Sequence, residues 1–348
     1  MSIFKRGAPG VEWTQDDEST LPLRSVQPAE SFPTQCAQCQ GEIGWDGYCS
    51  QCGHKAKSVR DHFEFDTFAW VAGVCDIGLV HARNEDAMAL HASETRAALV
   101  VCDGVTTSED SDVASLAGAR AACDVVWASN PQGTGTPSSR AAALEALLTK
   151  AVERANQAVI DATNQDSLNA AASTIAIAVI GQDEIACATL GDSRVYWLPD
   201  AGEPLQVTKD HSLAQDEMDL GVPRLEAESS AGAHTITGWL GRDAIDLVPH
   251  SAVLPRDEDG WLLVCSDGLW NYASEASALR DVVDRFRGDD SSAWSLADQL
   301  VAWANEQGGH DNITAMCARL LTSQGSAPLE PEMVDEDCEG ANEEPEAV

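Results

Sequence analysis

The chain has 348 residues, 44% of them apolar, enough for a sizeable core in one large domain or two unequal ones. Fifty-seven acidic against 21 basic side chains give a formal charge of -36, which repels phosphate backbones and anionic lipid alike and argues against nucleic acid or membrane as partners. No stretch approaches the roughly 18 apolar residues of a membrane span, and residues 1–20 hold no apolar run suited to a secretory signal, so the expected location is cytoplasmic.

Residues 1–31 mix charge, Pro and Ser without helical or strand period and read as a flexible leader. A cysteine module over residues 32–57 follows. Cys36-Ala-Gln-Cys39 and Cys49-Ser-Gln-Cys52 are two CxxC pairs with nine residues between them. Two thiolates on a tight knuckle, repeated once, supply the closed tetrahedral sulfur shell that structural zinc prefers. A thioredoxin-like site would need only one such pair leading into a helix, whereas Gly41, Gly44 and Gly47 suggest a short hairpin between knuckles. With all four positions filled by Cys, one zinc would hold the fold and do no chemistry. His54 is an alternative ligand by position, read here as exposed. Seven of the 11 cysteines are scattered, and Cys75, Cys102, Cys187 and Cys265 sit among Val, Ile, Leu and Ala as small apolar groups with reduced thiols.

The next unit spans residues 68–320. Short apolar runs over 70–76, 97–102, 174–180, 185–190, 194–198, 261–265 and 313–318 predict strands. Stretches over 112–128, 141–163, 276–286 and 294–305, rich in Ala, Leu, Glu and Arg with apolar positions three and four apart, predict helices. A mixed α and β domain is implied. Residues 209–241 are polar and irregular, longer than an ordinary connection, and suggest a functional flap. Residues 321–348 carry acid without a single Lys or Arg and read as a disordered tail with no catalytic role.

Three aspartates fall where strands are expected to end in turns: Val101-Cys102-Asp103-Gly104, Cys265-Ser266-Asp267-Gly268 and Gly309-His310-Asp311-Asn312. Further acid comes from Asn84-Glu85-Asp86 and from Gly191-Asp192-Ser193-Arg194. Carboxylates at strand ends of a rigid sheet can converge on hard divalent cations, which take oxygen ligands and retain waters. Any one Asp-Gly is an ordinary turn signal; the ordered set is more telling.

Together with Gly78-Leu-Val-His81-Ala-Arg83-Asn-Glu-Asp86, Ser173-Thr174, Asp210-His-Ser212, Leu262-Leu-Val-Cys-Ser-Asp267-Gly-Leu-Trp270 and Gly308-Gly-His-Asp311-Asn-Ile-Thr314, this order resembles the type 2C family of metal-dependent protein serine/threonine phosphatases, bacterial type, over nearly the whole chain after the cysteine module. The resemblance implies an α+β fold, a four-layer α-β-β-α sandwich of two antiparallel sheets flanked by helices, preceded here by the small zinc ribbon. It implies hydrolysis of phosphoserine and phosphothreonine by a metal-activated water at a centre of two or three manganese or magnesium ions, with phosphorylated proteins, targets of serine/threonine kinases, as substrates. Carried over by position, Asp103 bridges two metals and the Gly104 carbonyl binds one of them. Asp267 and Asp311 hold the other, Asp86 binds metal or orients its water, and Asp192 helps form a weaker third site.

Two positions depart from the family. His81 stands where an Arg commonly grips the substrate phosphate; Arg83 is a substitute, since a guanidinium binds phosphate in a bidentate way that imidazole cannot match. Val105-Thr106-Thr107 replaces the leaving-group His of eukaryotic members, as is common in bacterial ones. The competing reading is a catalytically weak phosphatase fold serving as a signalling adaptor that binds phosphoproteins.

Overall fold

The structure, a computed structural model, describes residues 23–26, 32–131, 133–288 and 292–322. In chain order the elements are β1 (Leu23–Val26), β2 (His62–Phe68), β3 (Val71–Asp76), β4 (Asp86–Ala92), β5 (Ala97–Asp103), α1 (Ser111–Ala128), α2 (Pro137–Ala162), β6 (Ala172–Ser173), β7 (Ile175–Ile180), β8 (Glu184–Leu190) and β9 (Arg194–Pro199). Then come β10 (Leu205–Gln206), α3 (Leu213–Asp219), α4 (Arg224–Glu228), β11 (Leu240–Gly241), β12 (His250–Pro255), β13 (Gly260–Cys265), α5 (Asp267–Trp270), α6 (Ala276–Phe286), α7 (Ala293–Gln307) and β14 (Ile313–Leu320).

Two six-stranded sheets, β1-β4-β5-β7-β8-β12 and β10-β9-β13-β14-β3-β2, carry most of these strands, and every pairing is antiparallel. Central strands such as β7 (IAIAVI) and β13 (GWLLVC) are apolar on both faces because both faces are covered. In β5, Leu99 and Val101 face the other sheet, where Leu262, Val264 and Met316 meet them. Val100 and Cys102 face outward onto Ala119, Ala122 and Val126 of α1. Leu263 and Cys265 of β13 likewise meet Leu300 and Ala304 of α7. The layers are therefore helix, sheet, sheet, helix, and each fully buried aliphatic side chain contributes on the order of 1.5–3 kcal/mol. Among the described residues, no helix is long and apolar enough to cross a membrane.

The antiparallel order gathers one set of strand ends. Asp86 opens β4 and Asp103 closes β5, directly opposite one another in register. The β8–β9 turn, the end of β13 and the start of β14 belong to strands packed beside them.

Several expectations shift. Leu23–Val26 lies in the segment expected to be a flexible leader, yet it forms a strand on β4, extending the first sheet by an edge; residues 1–22 and 27–31 lie outside the described residues. The second sheet begins at His62, ahead of the boundary drawn at Phe68. The 209–241 segment is less irregular than expected: it folds α3 and α4, with the Ser212 hydroxyl accepting from Gln215 N–H as the N-cap of α3. The acidic tail from residue 323 onward lies outside the described residues.

Candidate functional site

The first cluster is sulfur. Gln40 N–H donates to the Cys36 carbonyl and Gly53 N–H to the Cys49 carbonyl, so each CxxC closes a tight turn with the following residue at positive φ, 64° for Gln40 and 72° for Gly53. Gly44 and Gly47 make the hairpin between the knuckles, Gly47 N–H donating to Gly44 O at 3.0 Å. The Sγ atoms then stand 3.3 Å (Cys39–Cys52), 3.4 Å (Cys39–Cys49) and 3.7 Å (Cys36–Cys52) apart. A tetrahedral zinc with Zn–S of about 2.3 Å has edges of about 3.8 Å, so the set needs only slight expansion around such an ion. The Cys52 N–H beside it draws the Cys49 thiol down to about 6. At Cys39 the Gly41 N–H favours the thiolate, but the thiols of Cys52 and Cys49 prevail and push it up to about 12. Four thiolates this close cannot all ionise without a cation among them, and the donor set fits zinc. His54 contributes its backbone carbonyl, to Cys49 N–H, and is outside the cluster.

The second cluster is oxygen. Asp86 and Asp192 are buried, while Asp103, Asp267 and Asp311 are half-buried. Burial raises the Asp103 carboxyl well above the usual carboxylate range, and Asp86, Asp267, Asp311 and Asp192 raise it further, so the five assemble into one field. Burial likewise pushes Asp86 to about 7 against the hydrogen bonds of Thr314 and Ser266, and Asp267 to about 6 with Asp311 adding to it. Asp192 is raised by burial and by Asp267. The Asp267 Oδ1 atom is buried with no hydrogen-bond partner, while Oδ2 accepts from Asn271. Repelling carboxylates of this kind fit divalent cations. Among the described residues only the four cysteines bring three or more ligand atoms mutually within 4.8 Å, so the carboxylates form the wider set, suited to ions that keep waters.

The residues that bear the carboxylates are held by partners whose roles the motifs alone did not reveal. Asp86 Oδ2 accepts from Ser266 Oγ at 2.7 Å and Thr314 Oγ1 at 2.6 Å, joining the first sheet to the second. The Asp103 carbonyl accepts from Ser173 Oγ at 2.9 Å and Thr174 N at 2.8 Å, while its N–H donates to Thr174 Oγ1 at 3.1 Å. Trp270 Nε1 donates to the Asp192 carbonyl at 2.8 Å; the Arg194 guanidinium lies 3.4 Å over that indole and pairs with Asp210 at 2.7 Å. Asn312 accepts from Glu85 N at 2.7 Å and donates to Ile77 O at 2.8 Å. Most of these residues lie within the quoted motifs, but only the fold reveals what their hydroxyls and amides hold. Gly104 is required sterically: a Cβ there would lie 2.5 Å from Ser111 O, and at Gly268 it would lie 2.0 Å from Asn312 O.

His81 and Arg83 sit apart in their bonding. His81 Nε2 is 3.4 Å from Asp311 Oδ1, beside the aspartate cluster. Arg83 is tied to Glu85 at 2.7 Å and Asp112 at 3.2 Å, with 45% of its side chain exposed.

The protein phosphatase 2C family model matches residues 80–313. The serine/threonine phosphatase Stp of Listeria welshimeri is 28% identical over 268 residues, covering 76% of this chain and 98% of its own. Among solved structures, the serine/threonine phosphatase Stp1 from Staphylococcus aureus superposes with a TM-score of 0.59 at 22% identity, over 75% of this chain and 98% of that one. The catalytic domain of the phosphatase PstP, solved with two manganese ions, does so at 0.57 and 25% identity, over 72% and 98%. Fold, strand-end aspartates and family match coincide over the same part of the molecule, and the chain belongs to the protein phosphatase 2C family as a protein serine/threonine phosphatase.

Proposed function

We propose that this chain hydrolyses phosphoserine and phosphothreonine in phosphorylated proteins, targets of serine/threonine kinases, at a two-metal centre. The observation that carries it is the assembly of Asp86, Asp103, Asp192, Asp267 and Asp311 at one end of the sandwich, where burial and mutual repulsion oppose ionisation unless cations are present. Two manganese or magnesium ions bound there would supply Lewis-acid activation of water and neutralise phosphoryl charge. Asp103, the Gly104 carbonyl, Asp267 and Asp311 would hold the pair. Asp86, fixed by Ser266 and Thr314, would orient a metal-bound water, and Asp192 would help hold a third, weaker ion.

In this reading His81, which stands beside Asp311, receives the substrate phosphate, since Arg83 already serves two carboxylates. That pairing favours His81 over Arg83 as the direct contact. The adaptor reading draws on the same His81, an imidazole where a bidentate guanidinium would grip harder. Residues 32–57 serve as a structural zinc ribbon and 68–320, with β2 added, as the catalytic domain, in a cytoplasmic enzyme. The test is turnover of p-nitrophenyl phosphate and of a phosphothreonine peptide, with and without manganese. Metal-dependent turnover of both supports the enzyme; peptide binding without turnover supports the adaptor.

A further inference from the structure

Between the ribbon and β2 runs a short connection that nothing in the phosphatase pattern accounts for. Ser58 N–H donates to Asp61 Oδ2 at 2.9 Å and Asp61 N–H returns to Ser58 O at 3.1 Å, making a closed turn. On that turn stands Arg60, only 4% exposed. Its Nη1 donates to the Asp112 carbonyl at 3.1 Å, in the first turn of α1, and its Nη2 to the Asp86 carbonyl at 3.1 Å, at the first residue of β4. Its own carbonyl accepts from Asn84 Nδ2 at 2.8 Å, and Ile77 N–H donates to Asp61 O at 2.7 Å. The Asp112 carboxylate lies 3.6 Å from Arg60 and 3.2 Å from Arg83, which also meets Glu85 and Ser111 Oγ. Lys55 donates to the Ala82 carbonyl.

The loop from Ile77 to Asp86, which carries His81, is thus held by this connection along its length. We propose that Arg60 is a positioning residue for the metal centre: its fork locks the Asp86 main chain to α1 and, through Asp112, sets the place of Arg83. A planar guanidinium can serve two carbonyls on different elements at once, which an ammonium cannot do with the same geometry. Deleting it takes a donor from the Asp86 carbonyl and one from the Asp112 carbonyl, which keeps Ser115 Oγ, and leaves the Asp112 carboxylate without one of its two cations, so the strand start that aims Asp86 loosens. This rests on the two-metal reading above.

The deciding variant is Arg60→Lys, which keeps the buried charge and the aliphatic stem. Manganese affinity, measured by titration calorimetry on the full chain, should weaken about tenfold, as when the outer partners of metal ligands are removed. The kcat on p-nitrophenyl phosphate should fall by a similar factor with KM within about twofold, since aim rather than substrate contact is lost. The melting temperature of the metal-free variant should stay close to wild type, which a merely structural role would not allow; Arg60→Met should lose more on every count. Wild-type manganese affinity and kcat in a folded Arg60→Lys would overturn the role of Arg60 alone. A wild-type chain that takes up no manganese would overturn the metal-centre reading and this one with it.

Discussion

The cysteine ribbon and the aspartate cluster meet the same problem, gathering like charges in one place, in opposite ways. All four thiols come from residues 36–52, and two backbone knuckles bring them within 4.8 Å of one another, three of the pairs to 3.3–3.7 Å. The aspartates run from Asp86 to Asp311 and reach their places only when strands of two sheets are stacked. A closed sulfur shell is suited to an ion that never leaves. A wider oxygen shell, with Asp267 Oδ1 lacking a partner, is suited to ions that keep waters and exchange. Local chain geometry makes the first site; tertiary packing makes the second.

The largest effect should come from Asp103→Asn, which removes charge from the residue at the centre of the repelling set. Turnover should fall at least about a hundredfold, with zinc content unchanged. Near-normal turnover in this variant would mean that the metal centre is misplaced. Thr314→Val should come next: it strips one of two hydroxyls from Asp86 Oδ2 and should weaken manganese binding about tenfold in calorimetry, while leaving the ribbon intact. Smaller again is His81→Arg. If position 81 grips phosphate, the longer guanidinium should lower KM about threefold with kcat little changed, and an unchanged KM would remove His81 from the substrate site.

The smallest effect is on stability. Folded Asp86 and Asp267 titrate near 7 and 6, above free aspartate, so their contribution is full below about pH 4 and is lost as pH rises through those values. Manganese cancels that loss by taking the protons' place. The gain in melting temperature on adding manganese should therefore grow by a few degrees between pH 5 and pH 8. A gain independent of pH would count against these carboxylates as ligands.

How much of this was legible in the sequence follows the same division. The CxxC pairs announce their site because its geometry is local, although nothing in the sequence marked Gln40 as the residue that would take the positive φ that Gly53 takes in the second knuckle. Strands β5, β7 and β13 were legible from apolar runs. Strand β4, DAMALHA, was not: its Ala, Met and Leu favour helix, and it is a strand because sheet and helix cover it on both faces. Edge strand β12, HSAVLP, has a short and partly exposed pattern that gave no clear period. Asp103 and Asp267 could be named from their Asp-Gly turns, and Asp86, Asp192 and Asp311 from their place in the ordered set. The hydroxyls of Ser266 and Thr314 could not be given a role, because the partner they hold, Asp86, lies on the opposite sheet. Arg60 had no motif around it at all.

The contrast between a fixed sulfur site and an exchangeable oxygen site is tested most directly by counting metals and turnover in one preparation before and after mild chelation. The expected result is one zinc retained throughout, manganese and p-nitrophenyl phosphate turnover lost together, and both restored on adding manganese alone. Turnover that survives loss of the exchangeable metal, or that vanishes only when zinc is stripped, would contradict it.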